Sequence, residues 1–231
     1  MLSTTDAIVL SLQPHSDKAH LLHAYTRTGG RINYMVYGLG RKNPRGIYTP
    51  LSLIQITADH DSLKPPTIKE ATLLSSNRLR GLTSNSASGL TSNIYKQTVS
   101  LFIAEVLFHV LRHPMTDEPM FDFLAQSIEE LDTTDTPQNF HLRFLVGLAA
   151  KLGFALPEDH PLTLSSSHPL TLSSSHPLIL SSSHPLPHSL TNPLTRKERQ
   201  QALRALCDYF AEHVETWQAP KSLDILMEVF D

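Results

Sequence analysis

The sequence predicts an α+β protein, with a small five-stranded β-barrel of the oligonucleotide/oligosaccharide-binding (OB) type at the N-terminus and an α-helical bundle domain after it. Three observations carry that expectation. Residues 7–74 alternate apolar and polar positions between turn residues, the period-two pattern of strands. Beyond residue 93 the apolar period lengthens to about 3.6, as on one face of a helix. The charge also changes sign along the chain: residues 1–104 hold eleven Lys/Arg against five Asp/Glu, and residues 105–231 hold eight against seventeen. The first half would attract a polyanion and the second would repel one.

The strands are read in order from these patterns. Residues 7–13 form an apolar run with β-branched Ile8 and Val9. After a break at Pro14-His15-Ser16-Asp17, a second strand covers 20–26. Gly29-Gly30 mark a tight turn into a third, 31–37, where Ile32, Tyr34 and Val36 alternate with their neighbours. Gly38, Gly40, Pro44 and Gly46 make the next stretch a loop. Strands over 51–57 and 67–74, separated by Lys64-Pro65-Pro66, complete the set. Five short strands fit an OB barrel over 1–80, and an SH3-like barrel fits the pattern nearly as well. Residues 81–93 are rich in Ser, Thr, Asn and Gly and read as a polar linker.

Helices follow over 93–112, 118–131, 138–152, 195–214 and 221–230, so the helical domain comprises 94–157 and 192–231. An insert over 158–191 interrupts it. From His160 the octapeptide HPLTLSSS appears twice, then HPLILSSS at His176 and a degraded HPLPHSLT at His184. A proline every eight residues forbids a helix, and so polar a composition reads as a disordered insert.

Composition narrows the chemistry. A single cysteine, Cys207, excludes an internal disulfide and a cysteine-cluster zinc site. The first residues lack the pattern of a signal peptide and no stretch is long enough to span a bilayer, so a cytoplasmic protein without membrane contact is expected. Gly38-Leu39-Gly40-Arg41-Lys42-Asn43 lacks the spacing of a nucleotide-binding loop. Five of the thirteen histidines belong to the repeat, and His15, His20 and His23 have no carboxylate or cysteine at ligand spacing; no metal or cofactor is expected. No nucleophile constellation occurs, and the chain reads as a non-enzyme.

The strongest functional signal is the stretch from Lys18 to Ala58, which contains no acidic residue. Lys18, Arg27, Arg31, Arg41, Lys42 and Arg45 lie in it, with Tyr25, Tyr34, Tyr37 and Tyr48. Cations follow a phosphate backbone and aromatic faces stack on unpaired bases, the combination that single strands require. Alternation turns at least one of Tyr34 and Tyr37 into the core. The candidate nucleic-acid contacts are Lys18, Arg27, Arg31, Tyr37, Arg41, Lys42 and Arg45. The rival reading is a protein–protein scaffold whose basic barrel binds an acidic peptide.

Several segments together resemble the RecO family of bacterial DNA-repair proteins. They are Ala7-Ile8-Val9-Leu10, then Leu22-His23-Ala24-Tyr25-Thr26-Arg27-Thr28-Gly29-Gly30-Arg31, and Tyr37-Gly38-Leu39-Gly40-Arg41-Lys42, similar to that family's basic loop. Further ones are Ala104-Glu105-Val106-Leu107, the helix end at Leu152-Gly153-Phe154, and Lys221-Ser222-Leu223-Asp224. The resemblance implies an OB fold followed by helices, binding of single- and double-stranded DNA, and annealing of complementary strands. It also implies recombinase loading at gaps, work near the nucleoid, and partnership with RecR and with the tail of single-stranded-DNA-binding protein. Some members carry a four-cysteine zinc module after the Leu-Gly-Phe helix; here that place holds the repeat. An acidic tail ending in a carboxylate needs cations beside an apolar pocket. Arg112, Arg143 and Lys151 are the only Lys/Arg between Glu105 and the repeat, and are the candidates for that partner peptide.

Overall fold

The computed structural model describes residues 1–40, 43–61, 64–74, 87–135, 137–157 and 194–229. Its strands are β1 (Leu2–Ser16), β2 (Ala19–Thr26), β3 (Gly30–Tyr37), β4 (Leu53–Asp61) and β5 (Lys64–Leu73). They close into a barrel in the order β1-β2-β3-β5-β4. Neighbours run antiparallel except β3 and β5, which meet in parallel at Met35 and Thr67. This five-stranded closure is the OB arrangement, so the SH3-like alternative falls.

β1 serves two neighbours: Leu2 to Ile8 pair with β4, and Ala7 to Ser16 pair with β2. A register shift between Val9 and Ser11 marks the bend, a bulge that turns a strand around a barrel corner. Two expectations about proline are corrected. The strand does not break at Pro14, which pairs with His20 beside a second register shift. Likewise Pro65 and Pro66 lie within β5, opposite the shift between Asp59 and Asp61. At a bulge the missing N–H costs the ladder little.

Alternate residues of each strand fill the interior: Ala7, Val9, Leu22, Ala24, Tyr34, Val36, Ile54, Ile56, Ala58 and Ile68. A 3-10 turn over Arg45–Tyr48 adds Ile47 and Tyr48 to the same core. The expected irregular loop through Gly46 is corrected at its end, where the 3-10 turn takes in Arg45 and Gly46; burial of Ile47 and Tyr48 accounts for it.

The helices are α1 (Ala87–Val110), α2 (Glu118–Thr133), α3 (Phe140–Lys151), α4 (Arg196–His213) and α5 (Leu223–Val229). The linker expected over 81–93 is corrected in its second half, since α1 begins at Ala87. Ser, Thr, Asn and Gly have low propensity inside a helix, but once a helix exists each added residue gains a hydrogen bond without a new nucleus. The repeat segment 158–191 lies outside the described residues.

The chain divides into two compact units, Met1–Asp135 with Thr216–Asp231, and Thr136–Glu215. In the first, α1 and α2 belong with the barrel rather than with a separate helical domain. Gly30 shows how closely they approach: a Cβ there would lie 2.3 Å from the Met115 carbonyl oxygen, and its φ is +61°. Only glycine meets both demands. Glu105 of α1 accepts from the backbone N–H and hydroxyl of Ser222, at 2.9 and 2.7 Å, just before α5.

In the second unit, α3 buries Phe140, Leu142, Phe144, Leu145 and Leu148, and α4 buries Leu203, Leu206 and Phe210. Gly153, at φ +90°, ends α3. The chain then places Phe154 edge-on against Phe210, centroids 5.2 Å apart, and stacks it on His213. Tyr209 Oη donates to the carbonyls of Phe154 and Ala155.

Candidate nucleic-acid interface

The four tyrosines of the basic stretch have separate fates. Tyr34 and Tyr48 lie inside the barrel, 1% and 4% exposed, and Tyr25 is buried on its outer face. Burial raises all three phenols to about 12, so they remain neutral. Tyr37 is 47% exposed and alone of the four offers an aromatic face to a ligand.

The cations also divide. Along the outer face of β2 and β3, Tyr25 pairs with Arg31 and His23 with Asn33. This end of the face lies under α1 and α2. The Arg31 guanidinium sits 4.0 Å from the Phe108 ring centroid and donates to the Phe108 carbonyl at 2.6 Å. That carbonyl is in the last turn of α1, where helix acceptors lack intrahelical donors. Burial, and next the charge of Arg112, lower the Arg31 pKa. His23 packs edge-on against Phe108 and is within 2.6 Å of Asn33 Oδ1.

Arg27 lies 4.4 Å from the Phe121 ring centroid and donates to Asp122 Oδ1 at 2.7 Å, with Asp6 at 3.8 Å. Tyr25 stacks on the other partner of this contact, Phe121, at 6.4 Å. Two of the expected DNA cations are thus engaged between barrel and helices.

The opposite end of the same face is differently built. Tyr37 pairs with Ala19 across β2 and β3, beside exposed Lys18 in the β1–β2 turn. From Tyr37 the chain enters a narrow loop. Gly40 N–H donates to the Asn43 carbonyl at 2.8 Å, and Asn43 N–H to the Gly38 carbonyl at 3.4 Å. Gly38 and Gly40 have φ of +65° and +89°, the left-handed region that glycine occupies without penalty.

Asn43, 6% exposed, donates through Nδ2 to the Tyr37 carbonyl at 2.8 Å. Its Oδ1 accepts from Tyr48 Oη at 3.2 Å. Arg45 is exposed just beyond it. Arg41 and Lys42 lie outside the described residues. Sequence reasoning missed Asn43 and Tyr48, whose roles depend on burial that no spacing rule reports.

The cations considered for a partner peptide fall in both units. Arg112, in the first, donates to the Thr216 carbonyl at 3.4 Å. Arg143 and Lys151 are on α3 in the second, Arg143 at 6.0 Å from the Phe140 ring centroid. Among the described residues no three His, Cys, Asp or Glu side chains form a metal-binding group. No helix among them is long and apolar enough to cross a membrane.

Comparison with known proteins places this architecture. The N-terminal model of recombination protein O matches residues 1–77 and the C-terminal model residues 91–163. DNA repair protein RecO of Porphyromonas gingivalis W83 is 30% identical over 255 residues, covering 100% of both chains. Its namesake in Christiangramia forsetii is 30% identical over 249 residues, again covering 100% of each. That of Flavobacterium johnsoniae is 28% identical over 241 residues, 98% of each chain. With an OB barrel and helices in the matching order, the chain belongs to the RecO family of DNA repair proteins.

Proposed function

We propose that this DNA repair protein is a non-catalytic recombination mediator that binds single-stranded DNA, anneals complementary strands and helps load recombinase at gaps. The observation that carries the reading is the exposed Tyr37 at the end of β3, within a stretch of chain from Lys18 to Ala58 that has no acidic residue and in which Lys18 and Arg45 are also exposed. A stacking ring among cations suits an unpaired strand. Neutralising phosphates lets two strands approach while their bases stay free to pair, and annealing breaks no covalent bond. Double-stranded DNA, bound through phosphates alone, would share the cations.

Recruitment needs protein partners, and the family points to RecR and to the tail of single-stranded-DNA-binding protein. For the tail, Arg143 and Lys151 are the proposed cations, eight residues apart and so about 80° apart around the α3 axis.

Titrating a labelled oligonucleotide across salt concentrations tests the reading. Each phosphate contact to a single strand contributes roughly −0.7 to the log–log slope, so four cations give about −3. Binding that unlabelled DNA fails to compete away, or a flat salt response, would overturn it and leave the barrel as a binder of acidic peptides.

A further inference from the structure

We propose that Asn43 is a positioning residue for single-strand binding, holding the exposed Tyr37 ring and Arg45 in one arrangement. The inference rests on the reading of the barrel as a single-strand binder. It follows from where the Asn43 side chain stands. Its amide ties the Tyr37 carbonyl to the Tyr48 hydroxyl, at 2.8 and 3.2 Å, and its backbone closes the loop by accepting from Gly40 and donating to the Gly38 carbonyl. One residue thus connects the exposed ring, the loop and the barrel core, of which Tyr48 is a member.

The geometry uses the carboxamide fully. The donor end satisfies the Tyr37 carbonyl, at the last residue of β3. The acceptor end receives a phenol that burial keeps protonated, raised to about 12. A carboxylate of the same shape could not donate, and an aliphatic residue could do neither. The pin therefore holds the Tyr37 backbone at the point where the chain leaves the sheet, and with it the exposed ring and, two residues beyond Asn43, the exposed Arg45. Preorganisation of this kind raises affinity by lowering the ordering cost of binding. The space beside Gly40, where an added Cβ would meet nothing within 4 Å, leaves the loop backbone open to close approach.

The test compares the full-length wild type with Asn43→Ala, Gly40→Ala and a core control, Ile54→Val. Each is measured for thermal midpoint, single-strand affinity and the salt slope of binding. Asn43→Ala is expected to weaken binding about tenfold and to flatten the slope by roughly one phosphate contact or more. Ile54→Val lowers the midpoint with affinity and slope unchanged.

Wild-type affinity and slope in Asn43→Ala would overturn the proposal. So would a weakening with the slope unchanged, since that is what loss of stability alone produces. If Asn43→Ala does not fold, Gly40→Ala decides: it strains the φ +89° backbone of the same loop without touching the core. A flattened slope there supports the proposal and an unchanged one rejects it. Failure of the wild type to bind a single strand at all would remove the functional reading, and the inference with it; every other outcome bears on Asn43 alone.

Discussion

Arg31 covers both the last-turn carbonyl of Phe108 and the face of its ring. Removing the side chain leaves that acceptor and that ring without their cation. A hydrogen bond from a charged donor contributes about 1.5–3 kcal/mol and a partly exposed cation–π contact about 0.5–1 kcal/mol. Arg31→Ala is therefore expected to destabilise the first unit by about 3 kcal/mol in urea unfolding while the salt slope of DNA binding stays unchanged. A variant of wild-type stability with a flatter slope would return Arg31 to the DNA surface. Tyr37, six residues along the same strand, has the same outward orientation but is left exposed. Alternation showed which β3 residues point outward, because the side-chain period is a local property. It could not show which of them are covered, because the covering group, Phe108, is 77 residues away in sequence.

At the scale of elements, the ends with capping chemistry were the legible ones. Thr195 accepts from the Glu198 backbone N–H at 3.4 Å, and Glu198 Oε2 accepts from the Thr195 N–H at 2.8 Å, a capping box at the head of α4. Asp117 likewise accepts from Met120 N–H at the head of α2. Thr195→Ala should cost about 1 kcal/mol, as lost N-caps do. Amide exchange should then quicken in the first turn of α4 while the barrel amides are unaffected. Protection unchanged at Glu198 would mean that tertiary packing, not the cap, holds that end. Other ends were misjudged. α1 starts earlier than its composition suggests, β1 runs through Pro14, and β5 takes in Pro65 and Pro66. In each case a neighbour supplies what the local sequence lacks: an established helix in one, and a bulged strand in the others.

Across the whole molecule, both units bury histidines in surroundings that disfavour charge, and this links their stability to pH. In the second unit His141 is 1% exposed, and burial, then the charge of Arg199, lower its pKa from 6.5 to about 3. In the first, burial lowers His23 and His109, with Arg31 and Arg112 adding like-charge repulsion. A histidine depressed in the folded state binds fewer protons there than in the unfolded chain, so stability rises with pH through that interval. For His141 the contribution is complete above about pH 6.5 and is lost as pH falls toward about 3. The gradient for one such group reaches at most about 1.4 kcal/mol per pH unit. Melting at pH 7.5, 6 and 5 should therefore show a falling midpoint in both units. His141→Gln removes the titrating group from the second, so its midpoint should fall less between pH 7.5 and 5 even if it starts lower. An acid gradient equal to the wild type's in that variant would show that groups other than His141 set the pH dependence of the helical unit.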